Sequence, residues 1–397
     1  MAQDFDDAEW AQITTQLDGD PAGYGLPERR DGSVVLASWN IRKFGRLTRD
    51  DGSPAKSPGA TAMIERFAER CDLLAIQEVQ TDTASLYALR DALAAGGQDW
   101  RILYSDVTGR APGYEGMSER AAYLYRGDRV QLGNLASDLS FDRRAVMDNS
   151  NEALRKVVSA QIEKAGEDGL MAQITAWLTG QTRIAGAKLQ RFVQFIRTPH
   201  LVEFVIPGPD GAYRFYCVNA HLVSGKSKRE REQEFFALLE WLLIDSKKTV
   251  TPGGISFLLM ADLNLDFQSN VDKRRAAFAE YMTSINREKD LRAKVNFPFL
   301  DGAFFTNARG TETFDHIAWI SEDTRLPRGR HNETRGTHGA DGFDYGMFDF
   351  ARLIGEAGFT SGGAPDYERF EHDLSDHMPI WVRLPRPVAG QADFSVD

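Results

Sequence analysis

Nine short apolar runs, each the length of one β-strand, set the strongest limit on what this chain can fold into. They fall at residues 34–39, 73–76, 102–104, 121–125, 201–206, 215–220, 255–261, 314–320 and 379–384. Helical patterns lie between several of them, at 61–69, 83–94 and 230–243, where apolar residues return every three or four positions. Many of the strands are apolar on both faces, as a sheet requires when another sheet covers one side and helices the other. The fold class is therefore α/β, a layered sandwich. With 397 residues and no run of the 18 or so apolar residues needed for a membrane span, a membrane-free globular architecture is expected. Lys and Arg number 47 against 58 Asp and Glu, a net charge of −11, so bulk charge does not draw the molecule to nucleic acid and any such contact is local.

Residues 1–32 are polar and broken by Gly and Pro, which predicts an N-terminal arm with one short helix. Residues 33–390 form the main domain and 391–397 a C-terminal tail. Within the main domain, 143–190 departs from the strand–helix rhythm and reads as a helical insertion, with seven basic and five acidic residues. The Gly-rich stretch 321–373, with Arg325, Arg328, Arg330 and Arg335, reads as long surface loops. Cys71 and Cys217 offer no disulfide framework, and the acidic N-terminus lacks a secretory pattern, so a cytoplasmic location is expected.

Polar residues stand where the apolar runs end. Asn40 closes the first run, Gln77-Glu78 the second, Asn219-Ala-His221 and Asp262-Leu-Asn264 two later ones, and Ser375-Asp-His377 precedes the last. A sandwich gathers such ends into one rim. Asn40, Glu78, Asp262, Asn264 and Asp376 offer oxygen ligands, which suit a hard cation such as Mg²⁺ and not zinc. In extended chain Asp262 and Asn264 project to one face. A histidine oriented by a carboxylate moves protons, which makes His221 and His377 candidates, with Asp315 and Glu119 as orienters.

Taken in order, Ser38-Trp-Asn-Ile-Arg-Lys-Phe-Gly45, Asp72-Leu-Leu-Ala-Ile-Gln-Glu-Val79, Leu259-Met-Ala-Asp-Leu-Asn264, Phe314-Asp-His-Ile317 and Ser375-Asp-His-Met-Pro379 resemble the motifs of the endonuclease/exonuclease/phosphatase superfamily. The segments Asn40–Arg46 and Glu119–Arg126 resemble its deoxyribonuclease I branch. The resemblance implies a four-layered α/β/β/α sandwich and metal-dependent phosphodiester hydrolysis. It implies a principal metal site of Asn40, Glu78 and Asp376, with Asp262 and Asn264 at a second metal-or-phosphate position. It pairs His377 with Asp315 and His221 with Glu119, and makes Arg197 a phosphate contact. Where that branch carries a groove-entering arginine, two residues after Gln77-Glu78, this chain has Gln80, and the 143–190 insertion has no counterpart there.

The expected activity is Mg²⁺-dependent endonucleolytic hydrolysis of DNA, with Mn²⁺ as a substitute ion. His377 would take the proton of the attacking water and His221 would protonate the leaving oxygen. Local basic clusters, Arg42, Lys43, Arg46 and Arg49 after the first motif and Lys226, Lys228, Arg229 and Arg231 after His221, would meet the phosphates. Two other readings compete. One is a phosphatase or phosphodiesterase of the same superfamily acting on lipid or inositol phosphates; Arg197 and the want of an amphipathic membrane-docking stretch weigh against it. The other is a catalytically silent binding scaffold, which has no physical need for facing carboxylates that repel unless a cation binds.

Overall fold

The computed structural model describes residues 4–109, 118–139, 195–209, 211–224, 256–266, 294–301, 304–323 and 344–387, with isolated positions between 231 and 287. The predicted 143–190 insertion and the Arg325–Arg335 cluster lie outside the described residues. The main elements are two six-stranded sheets. The first has the order β11 (Asp344–Met347), β14 (Ile380–Pro385), β1 (Ser33–Phe44), β2 (Leu73–Gln80), β4 (Glu119–Arg126), β3 (Trp100–Tyr104). The second has the order β5 (Gln131–Asp138), β6 (His200–Gly208), β7 (Gly211–His221), β8 (Ser256–Asp262), β10 (Asp315–Ser321), β9 (Lys294–Asn296). Each sheet contains one parallel pair, β1 with β2 and β7 with β8, flanked by antiparallel neighbours.

The sheets pack face to face. Leu258, Met260, Phe215, Cys217, Ile317 and Trp319 from the second join Leu36, Leu74, Ala75 and Tyr123 from the first in one buried cluster. Alternate residues of the same strands, Val218, Phe257, Leu259, Ala318 and Ile320, face outward and are covered by Phe235, Leu238, Leu239 and Leu242 of the helical stretch between β7 and β8. On the far side of the first sheet lie α1 (Asp7–Gly19), α2 (Pro58–Ala68), α3 (Ala84–Ala94) and α4 (Phe350–Glu356). This is the four-layered α/β/β/α sandwich, and period-two alternation explains why strands buried on both sides read as continuous apolar runs.

The N-terminal segment is docked onto the core. Asp6 and Glu9 form a reciprocal capping box at the start of α1, which buries Trp10, Ile13 and Leu17. Trp10 Nε1 donates to the buried carboxylate of Asp373 (3.3 Å), which also accepts from the amide of Ser57 (2.7 Å), the N-cap of α2. Within the stretch read as long loops, the described residues 344–373 are structured instead: they hold β11, α4, a small hairpin of β12 (Thr360–Ser361) with β13 (Ala364–Pro365), and α5 (Tyr367–Asp373). Both helices have seven residues, two turns, too few to print a period, yet Phe348, Phe350, Leu353, Ile354 and Phe370 are buried. Cys71 and Cys217 are buried free thiols, and among the described residues no helix is long and apolar enough to cross a membrane.

Candidate active site

Inward-facing positions of the second sheet turn from apolar to ionisable at one end. Along β7, Phe215 and Cys217 give way to Asn219 and His221; along β8, Leu258 and Met260 lead to Asp262; β10 begins at Asp315. Strand register lines three of these up, His221 opposite Asp262 and Asp262 opposite Asp315, in one row across three strands. Two carboxylates directly opposite repel each other, and here two imidazoles compensate.

The compensation comes from across the sandwich. His377, leading into β14 of the first sheet, places Nδ1 2.7 Å from Asp315 Oδ2 of the second. His221, of the second sheet, places Nδ1 2.7 Å from Glu119 Oε1 of the first. Each histidine thus takes its acid from the opposite sheet. The remaining nitrogens converge on a single atom: Asp262 Oδ2 lies 3.5 Å from His221 Nε2 and 3.6 Å from His377 Nε2, and accepts from Asn40 Nδ2 at 3.0 Å.

Burial and charge set the proton affinities. Burial works against charging His377, yet Asp315 and Asp262 outweigh it and hold the imidazolium well above the ordinary histidine range. His221 moves the same way more modestly: burial opposes, Glu119 favours the cation, Arg197 opposes and Asp262 favours it. Asp262 is pushed up by burial but held below the usual carboxylate range by His377 and His221, whereas burial lifts Asp315 above it. The His–carboxylate pairs therefore hold protons at ring nitrogens aimed at one point.

Asn40, Glu78 and Asp376 gather beside this row. Asn40 Nδ2 also donates to Glu78 Oε1 (3.3 Å), and Glu78 Oε2 accepts from the Lys43 amide (3.1 Å). Gln77 and Glu78 are consecutive, so a regular strand would send them to opposite faces. Gln77 reaches inward to Asn219 (2.7 Å) and Ser38 (3.1 Å). Glu78 reaches inward as well because β2 is irregular between Ile76 and Val79 and Glu78 itself has φ +60°. Ser375 fixes the loop ahead of β14: its hydroxyl donates to the Asn40 carbonyl (2.6 Å) and accepts from the His377 amide (3.2 Å).

Asn264 departs from the extended geometry expected for an Asp-x-Asn on one face. The strand ends at Asp262, whose carboxylate accepts from the Asn264 amide (2.9 Å), and Asn264 turns to φ +50° with its side-chain amide donating to the Leu222 carbonyl (3.0 Å). Arg197 stands 2.7 Å from Glu119 Oε1, donates to the Leu222 carbonyl (3.0 Å) and is mostly buried. The structure therefore brings Asn40, Glu78, Glu119, Arg197, His221, Asp262, Asn264, Asp315, Asp376 and His377 to one rim.

Two contributors, Lys56 and Glu234, escaped sequence reasoning, as did the carboxylate pairing of Arg42, a residue expected to meet phosphate. Arg42 pairs with the Asp376 carboxylate (3.2 Å) and stands 3.7 Å from Glu371. Lys56 donates to the carbonyls of Leu374 (2.8 Å) and Asp373 (3.3 Å), and burial brings its ammonium down to about 8 although Asp373, Asp376 and Glu78 oppose this. Buried Glu234, packed behind Arg197 and His221, accepts from the Val223 amide and is pushed up to about 7 by burial. None of them sits at the end of an apolar run, the signal that found the others.

The oxygen set bears on a metal ion. The Oδ1 atoms of Asn40 and Asp376 are buried with no hydrogen-bond partner, which is costly unless a cation or ligand takes them up. Oxygen donors of this kind fit a hard divalent cation. Asp262, Asp315 and His377 also offer ligand atoms within 4.8 Å of one another.

No family model matches the chain. A curated protein from Thioalkalivibrio sp. (strain K90mix), named deoxyribonuclease, is 32% identical over 161 residues, 40% of this chain and 39% of that protein. The chain thus matches about two fifths of the length of this relative. Among solved structures, an endonuclease/exonuclease/phosphatase family protein from Bacteroides thetaiotaomicron superposes with a TM-score of 0.45 at 14% identity, covering 91% of this chain and all of that one. The mannosyl-6-phosphatase of Bacteroides thetaiotaomicron VPI-5482 gives 0.44 at 13% identity, covering 88% and 98% of the two chains. The human Nocturnin catalytic domain gives 0.43 at 13%, covering 89% and 94%. In the order of its rim motifs this chain resembles the endonuclease/exonuclease/phosphatase superfamily.

Proposed function

We propose that the protein is a metal-dependent phosphodiester hydrolase of the endonuclease/exonuclease/phosphatase superfamily and that it acts as an endonuclease on DNA. The observation that carries this reading is the convergence of two His–carboxylate pairs on Asp262 Oδ2. One imidazole takes a proton from water while the other gives one to the departing oxygen, so in-line displacement needs a pair of this kind on opposite sides of a phosphorus. His377 Nε2 is the acceptor in its neutral form, which requires that the Asp262 charge favouring its proton be offset by the bound cation, and Asp315 fixes its tautomer through Nδ1. His221, oriented by Glu119, is the donor, and its raised proton affinity keeps it charged for that task. Asn40 and Asn264 place amide groups at the rim, where fixed dipoles stabilise developing charge without reorganising.

Asn40, Glu78, Asp376 and Asp262 would hold the Mg²⁺ or Mn²⁺ ion, through the two buried unpartnered oxygens and the neighbouring carboxylates. When bound, such an ion supplies positive charge against the phosphoryl oxygens. DNA as substrate rests on the partial relative named deoxyribonuclease; of the basic residues beside the first motif, Arg42 pairs with Asp376 and Glu371, Arg46 with Asp50 and Arg49 with Asp4.

The test is supercoiled plasmid incubated with wild-type protein, His377→Ala and His221→Ala, each with Mg²⁺ and with EDTA. Nicking that requires Mg²⁺ and falls roughly 10²-fold or more in each variant is expected. Intact plasmid in every lane, with a single-stranded DNA circle left intact as well, removes the DNA assignment, and wild-type rates in both variants remove the acid–base assignment.

A further inference from the structure

Next to the catalytic cleft the first sheet carries a patch that the hydrolytic reading does not use. Tyr87 of α3 and Tyr104 at the end of β3 meet edge to face, ring centres 6.5 Å apart at 75°, with hydroxyls 3.3 Å from each other. The Arg90 guanidinium lies 5.0 Å from the centre of the Tyr87 ring and that of Arg120 lies 5.2 Å from the centre of the Tyr104 ring. Tyr87 is 38% exposed, and two further exposed apolar side chains flank the patch in sequence, Leu47 at 53% and Val107 at 37%. The first belongs to the basic loop that Ser85 ties to the start of α3, its amide donating to the Gly45 carbonyl (2.7 Å) and its hydroxyl to that of Arg46 (3.2 Å).

Arg120 joins this patch to the site. It lines one cleft with Glu78, Glu119, Arg197 and His221 while its guanidinium reaches the Tyr104 ring, and its Nε is buried with no hydrogen-bond partner. Packing alone does not call for an exposed Tyr87 set against the half-buried Tyr104 with an arginine beside each ring. Aromatic faces interleaved with guanidinium groups suit a strand of nucleic acid whose bases stack while its phosphates meet the cations. In a duplex the base faces are already stacked on their neighbours, so only an unpaired base has a face to offer.

We propose that Tyr87 and Tyr104, with Arg90 and Arg120, form a subsite that stacks an unpaired base of the strand leaving the cleft, so that single-stranded nucleic acid is the preferred substrate. This rests on the nuclease reading and names its substrate class. The test is binding without turnover: fluorescence anisotropy in EDTA with the full chain and labelled oligothymidine, a duplex of the same length, and a strand of the same length built of abasic residues. Wild-type protein is expected to bind oligothymidine roughly tenfold more tightly than the abasic strand. Tyr87→Ala should abolish that margin while circular dichroism stays unchanged, and Tyr87→Phe should keep it. Equal binding of oligothymidine and the abasic strand by wild type, or a full margin in Tyr87→Ala, overturns the subsite. Because no bond is cut in EDTA, a failure to hydrolyse DNA in the plasmid assay counts against the nuclease reading alone.

Discussion

At the scale of single residues, the rim shows how one buried carboxylate can be kept ionised. Asp262 is fully buried, and two imidazoles and an amide direct positive charge at one of its oxygens. Other buried groups pull stability in opposite directions with pH. Burial pushes Glu234 from 4.5 up to about 7, so between those values the folded state holds a proton that the unfolded chain releases, and stability falls as pH rises. Burial pulls His316 from 6.5 down to about 4, so across nearly the same window the unfolded chain holds the extra proton and stability rises with pH. The two slopes, each at most about 1.4 kcal/mol per pH unit, offset one another in the wild type. In Glu234→Gln the histidine contribution is no longer offset by Glu234, and urea midpoints measured from pH 4 to 6.5 should climb more steeply with pH than in wild type. Parallel profiles would exclude Glu234 from the balance.

Elements are where sequence reading did best and worst. The strands that carry Asn40, His221 and Asp262 were legible because each is an apolar run that stops at a polar residue, and that of Asp315 because an apolar run follows it. Edge strand β5, Gln131–Asp138, was not, because it faces solvent along most of its length and has no apolar run to display. The inward turn of Glu78 was invisible too, since an irregularity of one strand leaves no periodic trace. The same holds for contacts between distant elements. Asn219 of β7 donates to the carbonyls of Ile76 (3.2 Å) and Ala122 (2.9 Å) in β2 and β4 and accepts from Gln77 (2.7 Å), bolting the second sheet to the first just below the site. Asn219→Ala leaves buried carbonyls and an amide without partners and should cost about 2–4 kcal/mol. A chemical denaturation curve coincident with wild type would show that water or a shifted side chain satisfies them.

For the whole molecule, the two sheets share one plan: each has a parallel pair flanked by antiparallel strands, and each sends a histidine to an acid on the other. Neither sheet holds a complete acid–base pair, so the proposed hydrolysis depends on their docking and not on secondary structure. At denaturant concentrations that loosen the sandwich, plasmid nicking should vanish while the far-ultraviolet dichroism of the strands and helices persists; simultaneous loss of both would mean that sheets and sandwich form as one step. The plan also sets a schedule for synthesis. Central strand β1, formed by residues 33–44, lies between β2 and β14, and β14 follows Asp376 and His377 more than 330 residues later. A ribosome therefore carries a chain whose rim is incomplete until residue 377 has been added and has left the exit tunnel, and on the proposed reading a message that breaks off earlier yields an inert product.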